Sequence, residues 1–510
     1  MIAVSDAWKE IQQRFLLPET HIEIDCTVTE AGVQESATIT GTDEALISNT
    51  ISALYDTTKS VKYATNELNM WALDGTFTVA PDTPPYADFG YISDIDSIGS
   101  VTVKLPEVHA SATSGLTINW GGLLDEYPTV FTITAKNGDE VVYESTVTDN
   151  TAQVSAIFAK LQNYDSITIT AHSWSLPYRR VRLEKITIGH VLTFYKKDIF
   201  SYTHEQTGHL NSGELPKNSI TFTLDNTDGR WNPNNPSGME QYLSERQQLR
   251  VRYGLDVNGV VEWIKAGTFY LSEWRVPNNG LEASFVARDI FEYLLNETYT
   301  GGKSGKLSNL IGNAFYSAGV PDDFVYELDS SLDNYFATIP DGEHTCAEIV
   351  QMCANAGGCV IYQDREGVLH IKPLSKVHTD AIIPLTLSYS HPEIELSKPL
   401  KNVAVSYGEN TYSFPENAGN AGEIQTISNP LISNREQAKT IAEWVRDTLI
   451  TRKTVSGEYR ADPRLDVFDI VAVASKYGDL QNVALTSIKY TFNGSFRGEY
   501  KGRLLEVTEE

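Results

Sequence analysis

His204 and His209 close the run His-Glu-Gln-Thr-Gly-His, the nearest this chain comes to a zinc-protease signature. That signature needs two histidines four residues apart, so that both leave one helical face and reach one metal ion. A spacing of five turns them about 140° apart on a helix. Gly208 and the following Asn211-Ser-Gly213 also work against a helix, so the run is read as a polar loop ahead of a strand. Cys346, Cys353 and Cys359, with His344 beside them, are separated by seven and six residues, whereas zinc knuckles use two to four. Cys346 and Cys353 share a helical face with Ile349 and Val350, where cysteine serves as a small buried hydrophobe. Cys26 stands alone. Gly301-Gly-Lys-Ser-Gly-Lys306 has the composition of a phosphate loop, but Leu307 follows Lys306 and no glycine stands five residues before Gly305. It reads as a connector leading into a helix. Asp225-Asn-Thr-Asp-Gly229 opens like a calcium loop and lacks the glutamate at the twelfth position, so it reads as a turn between strands. There is no Gly-x-Ser-x-Gly elbow. We therefore expect no metal, no cofactor and no catalytic residues.

A binding surface is the one chemistry left. Trp120, Tyr127 and Trp174 lie near Asp125 and Glu126. Sugar rings stack on open aromatic faces while carboxylates accept their hydroxyl hydrogen bonds. A carbohydrate site here would use Trp120, Asp125, Tyr127 and Trp174. The competing role is core filling, which we prefer because a buried tryptophan commonly anchors a β-sandwich.

The elements that would position these residues are mostly strands. Val101–Leu105, Ser166–Thr170 and Ser219–Leu224 alternate apolar and polar residues, the period of a half-buried strand. Val130–Thr134 and Glu140–Tyr143 flank Asn137-Gly138, the strongest short-range hairpin signal. Three helices are expected. Leu307, Leu310, Ile311, Ala314 and Ala318 recur at helical spacing before Gly319. Thr345 and Glu348 form a capping box for a second helix, ended by Gly357-Gly358, and Ser433 with Glu436 forms another for helix 433–450. The second helix runs into a hairpin, Cys359–Tyr362 and Val368–Ile371, turning at Asp364-Arg-Glu-Gly367. The fold class is mainly β with α+β segments. Pro81–Pro85 reads as a linker, and Glu409–Gly422 as an exposed loop.

The chain has 510 residues and a formal charge of −27. That length suggests several domains. Such a charge repels phosphate backbones and anionic lipid, so neither specific nucleic acid nor a membrane surface is an expected partner. No apolar run reaches the roughly 18 residues of a membrane span. The first residues carry neither a basic n-region nor an apolar core, so no signal peptide is expected. Four cysteines in such a chain exclude a disulfide scaffold.

Taken in order, several runs resemble a known family. Ser219–Pro236 (SITFTLDNTDGRWNPNNP), Gln248–Gly254 (QLRVRYG), Ala266–Leu271 (AGTFYL) and Ala283–Asp289 (ASFVARD) are similar to the first barrel of phage tail hub and baseplate hub proteins, from contractile tails and siphophage tail tips. Residues Cys346–Pro373 resemble that family's middle segment. Asn429–Ile432, Tyr459–Pro463, Asp469–Val473 and Phe492–Gly498 resemble its tail. The stretch ending Pro177–Ile186 is similar to a galactose-binding-like sandwich inserted into the first domain. The resemblance implies a first hub β-barrel split over 1–77 and 190–298, an inserted β-sandwich at 78–189, a helix-hairpin domain at 299–378 and a second hub β-barrel at 379–510. It implies a structural, non-enzymatic virion protein at the tail tip or baseplate. Its partners would be two further copies in a homotrimer, the distal tail protein and tail tube, the tape measure protein, and spike or fibre receptor-binding proteins. An acidic ring lumen would repel DNA passing through it. The alternative is a carbohydrate-binding adhesin of the tail tip that meets a host cell-surface glycan.

Overall fold

The computed structural model describes residues 1–14, 19–28, 37–41, 62–63, 77–78, 99–110, 113–120, 127–175, 183–235, 238–239, 243, 245–277, 280–321, 324–375, 377–416 and 422–505. The chain forms two compact units. One is Met1–Asp25 with Thr193–Glu510, and the other is Cys26–Leu192. The smaller unit is thus an insertion, beginning well before the boundary at 77/78 expected from sequence. Strand Thr38–Gly41 shows why: it pairs with Gly99–His109, Thr38 opposite Lys104, and so belongs to the sandwich. Pro81–Pro85 lies outside the described residues.

The smaller unit is a two-layer β-sandwich. A five-stranded sheet runs in the order Thr38–Gly41, Gly99–His109, Tyr164–Trp174, Pro128–Asn137, Glu140–Val147. The second sheet is Leu183–Ile188, Thr113–Trp120 and Val154–Leu161. The Asn137-Gly138 hairpin forms, with Asn137 paired to Glu140 and Gly138 at a φ of 59°. That left-handed conformation costs glycine nothing. Inward residues of both sheets make one core that includes Trp120, Phe131, Tyr164 and Trp174.

Among the described residues the larger unit holds a thirteen-stranded sheet drawn from both ends of the chain. Its central path is Gln248–Val257, Val260–Arg275, Glu282–Arg288, Lys217–Asp225, Ile199–Thr207, Leu480–Phe492, Phe496–Leu504, Lys453–Tyr459 and Glu393–Leu396. The strands expected to form two hub barrels are therefore hydrogen-bonded into one sheet, joined where Ile199–Thr207 pairs with Leu480–Phe492, Tyr202 opposite Phe492. The sheet curls strongly. Three strands separate Gln248–Val257 from Ile199–Thr207, which would hold them about 19 Å apart in a flat sheet. Yet the Tyr253 hydroxyl lies 2.8 Å from that of Tyr202, and the Tyr253 and Phe496 rings stand 4.7 Å apart. Curling encloses an aromatic interior.

A second core lies among helices Leu307–Ser317, Cys346–Gly357 and Arg435–Leu449 and the small sheets around them. Thr345 and Glu348 make the expected capping box, and Gly358 ends that helix at a φ of 71°. The third helix is capped one residue later than expected. Asn434 is the N-cap, accepting from the Gln437 amide, and Gln437 returns the contact to the Ser433 amide. This differs from a capping box, in which the returning side chain accepts from the amide of the N-cap residue itself; here it accepts from the residue before. Helix Asp6–Gln13, capped by Ser5, is not among the three helices expected from the sequence. Asn410–Phe414, expected as part of a loop, is a strand hairpinned onto Leu400–Tyr407.

Candidate functional site

His204 lies in strand Ile199–Thr207, not in a loop, and is fully buried. The alternation of that strand points Tyr202, His204 and Gln206 inward together. Both ring nitrogens of His204 are engaged. Nδ1 lies 2.8 Å from the Tyr253 hydroxyl and Nε2 lies 2.8 Å from Asn218 Oδ1. A neutral imidazole donates from one nitrogen and accepts at the other, so the network assigns the proton to Nε2. Tyr253 then donates to Nδ1, and Tyr202 donates to Tyr253. Burial, with the Arg365 charge adding to it, lowers the His204 pKa to about 4. The imidazole is therefore neutral and saturated, a poor metal ligand or general base. His209 lies outside the strand and is paired at 3.7 Å with Glu214.

Arg365 comes from the turn between strands Val360–Gln363 and Leu369–Lys372, the hairpin expected from sequence. Its side chain is 3% exposed. Nε lies 2.9 Å from Asp466 Oδ1, and the remaining guanidinium nitrogens reach the carbonyl oxygens of Pro463 at 2.5 Å and Leu465 at 2.6 Å. Burial, the largest single influence, opposes the charge, but Asp466 together with Tyr490 and Tyr253 outweighs it, and the guanidinium pKa is raised. Asp466 also accepts from Gln206 Nε2 at 3.0 Å, which links this contact to the His204 strand. The segment Asp462–Asp466 is held from the other side by the Tyr490 hydroxyl, which donates to the carbonyls of Asp462 and Leu465. Arg464 is clamped on the Asp462 carboxylate within the same segment. The assembly fixes three distant stretches of chain and presents no open reactive group.

The remaining residues singled out in the sequence have structural surroundings. Cys346, Cys353 and Cys359 are fully buried in one apolar core. Burial raises the thiol pKa of Cys346 to about 11 and of Cys359 to about 12, and raises that of Cys353 further, so none supplies a thiolate. Among the described residues no group of three His, Cys, Asp or Glu side chains could hold a metal ion. Ser304–Lys306 is a short strand paired with Phe336–Thr338, and Lys306 is the N-cap of the following helix. Lys303 is paired with Asp341. In the Asp225–Gly229 turn the Asp225 and Asp228 side chains accept from backbone amides two residues on, while Asn226 accepts from the Trp231 amide.

In the sandwich, Trp120 and Trp174 are each 1% exposed. Their rings meet edge-on at 6.2 Å, and Trp120 Nε1 donates to Ser155 Oγ at 2.9 Å. Stacking a sugar requires an open ring face, which these two rings do not offer; they fill the core. Tyr127 is half-buried against that core, and Asp125 lies outside the described residues. The strand that ends the large sheet carries no signal of its place in the sequence. Glu393–Leu396 pairs on one side with Lys453–Tyr459, Glu393 opposite Ser456. Among the described residues nothing pairs its other side. All four residues are exposed, Ile394 at 47% and Leu396 at 62%. Among the described residues no helix is long and apolar enough to cross a membrane.

The chain is similar to solved structures of tail proteins. One is the 43 kDa tail protein of prophage MuSo2 from Shewanella oneidensis, at 13% identity and a TM-score of 0.43, covering 62% of this chain and 95% of that one. A second is the tail protein from Neisseria meningitidis MC58, at 11% identity and a TM-score of 0.44, covering 62% and 94%. A third is a prophage tail protein from Listeria monocytogenes EGD-e, at 13% identity and a TM-score of 0.40, covering 62% and 90%. No protein-family model and no curated protein matches the sequence.

Proposed function

We propose that this protein is a structural hub of a phage or phage-derived tail, assembling as a homotrimer around the tail axis. It would seat the distal tail protein and tail tube on one side and spike or fibre proteins on the other, with the tape measure protein and DNA within its lumen, and would carry out no catalysis. The observation that carries this reading is the junction of the two ends of the chain. The runs resembling the first hub barrel, Ser219–Leu224, Gln248–Gly254 and Ala283–Arg288, occupy strands of the same curled sheet as Phe496–Gly498 from the hub-like tail. The Tyr459–Pro463 run supplies part of the segment that Tyr490 holds.

The open edge supports assembly. An isolated soluble protein protects its terminal strands with charge, proline or cover; Glu393–Leu396 carries charge at Glu393 and Glu395 and also displays Ile394 and Leu396 beside backbone that is unpaired among the described residues. Apolar side chains beside an open strand edge are what an interface with another chain would cover. Mass photometry of the purified full chain tests the reading. The expected result is a trimer that falls to monomer in the double variant Ile394→Asp, Leu396→Lys. A wild-type protein that stays monomeric at micromolar concentration overturns it.

A further inference from the structure

We infer that the cleft between strand Glu423–Ser428 and helix Cys346–Gly357 is a docking groove for an extended polypeptide segment that carries lysine or arginine. The cleft has a volume of about 580 Å³, within the range of ligand sites. Among the described residues its strand wall is a sheet edge. Glu423–Ser428 lies parallel to Leu400–Tyr407, and Leu400–Tyr407 is paired on its other side with Asn410–Phe414. A strand so placed directs alternate backbone N–H and C=O groups away from its partner.

The lining shows that the cleft follows this edge. Gln425, Thr426, Ile427 and Ser428 all contribute to it, four consecutive residues. A cleft over one face of a strand would touch alternate residues only, because successive side chains point to opposite faces. Ile427 indeed points into the core while Thr426 and Ser428 are exposed. What the four share is the backbone between them. This is the geometry of strand addition, in which main-chain hydrogen bonds supply affinity and flanking groups supply selectivity.

The opposite wall is braced. Asn429 Nδ2 donates to the Met352 carbonyl and to Asn355 Oδ1, both at 2.8 Å. Asn355 Nδ2 donates in turn to the Asn211 carbonyl at 2.8 Å, and Gln351 Nε2 to the Ser212 carbonyl at 2.6 Å. The groove is thus formed before any segment enters, which spares the cost of ordering it on binding. The rim selects charge. Glu214 and Glu348 line the cleft with side chains 81% and 55% exposed, each 3.7 Å from a histidine that also lines it, His209 and His344, and among the described residues no lysine or arginine lines it. An incoming strand with basic side chains complements that rim, and an acidic one is repelled.

This inference stands apart from the tail-hub reading, since it concerns a groove rather than a place in a particle. The test uses the full chain and two fluorescein-labelled peptides, one alternating lysine with valine and one alternating glutamate with valine. Fluorescence anisotropy measures binding, and hydrogen exchange with mass spectrometry locates it. The expected result is binding of the lysine peptide alone, weakened by added salt, with slowed exchange over Glu423–Ser428. Glu214→Lys and Glu348→Gln should each weaken binding about twofold to fivefold. Glutamine still accepts from the Thr345 amide, so the helix cap survives the second change. Failure of the lysine peptide to bind, equal binding of the two peptides, or slowed exchange confined to other strands would each overturn the inference.

Discussion

Arg365 Nε stands 2.9 Å from Asp466 Oδ1, joining the tip of a helix-packed hairpin to a segment about a hundred residues later in the chain. The same guanidinium also donates to the carbonyls of Pro463 and Leu465. Arg365→Met would leave Asp466 and those carbonyls without their cation. Removing one partner of a buried pair costs about 3–5 kcal/mol. The expected result is a large fall in the urea midpoint of the larger unit. A midpoint within error of wild type would show that the latch is dispensable.

His204 makes acid the weak side of this core. Its folded pKa, about 4, lies below the roughly 6.5 of an exposed histidine. The unfolded chain therefore takes up a proton first as the pH falls, and stability drains away between about 6.5 and 4. Protonating Nδ1 would also break the hydrogen bond from Tyr253 and face the new charge toward Arg365. His204→Gln should flatten the stability profile over this window, measured by urea unfolding at successive pH values. A profile as steep as wild type would assign the loss to other groups.

Asp289 works in the opposite sense. It is 2% exposed, Oδ2 has no hydrogen-bond partner among the described residues, and burial raises its pKa to about 7. The unfolded carboxyl ionises near 3.9, so its penalty on stability grows as the pH rises from about 4 to 7 and is complete above that. Asp289→Asn keeps an acceptor for the Phe291 amide and removes the charge. The variant should be more stable than wild type at pH 8, by an amount on the order of a few kcal/mol, with the difference gone at pH 4. Equal stability at pH 8 would refute this.

Trp120→Ala tests the sandwich core. Its ring packs edge-on against Phe131 and Trp174, and its Nε1 is bonded to Ser155. Truncating a buried tryptophan costs about 3–5 kcal/mol. Hydrogen exchange should accelerate across both sheets of that unit together. Acceleration confined to Thr113–Trp120 would mean that the ring is not central to the core.

Much of the secondary structure was legible because its causes are local. The Asn137-Gly138 hairpin, the Thr345–Glu348 cap and the alternating run Ser219–Leu224 each arise from neighbours within a few residues, and each formed where expected. The third helix cap shows the limit of such reasoning. Ser433 and Asn434 are both good caps, and the choice fell to Asn434 where Gln437, held by the Ala356 carbonyl, sets the phase.

Residue chemistry, turn signals and apolar periodicity thus determined the strands, most helices, the burial of the cysteines and the mainly β class without reference to distant contacts. Tertiary structure decided the rest. A turn reading Asp-Arg-Glu-Gly looks solvated, and Arg365 is interior only because an acid and two carbonyls converge on it from Pro463–Asp466. His204 was read as loop because its polarity masks the alternation, which reappears once Tyr253 and Asn218 satisfy the ring. An open strand edge leaves no mark in sequence at all, since whether a strand is central or terminal depends on which segments fold beside it.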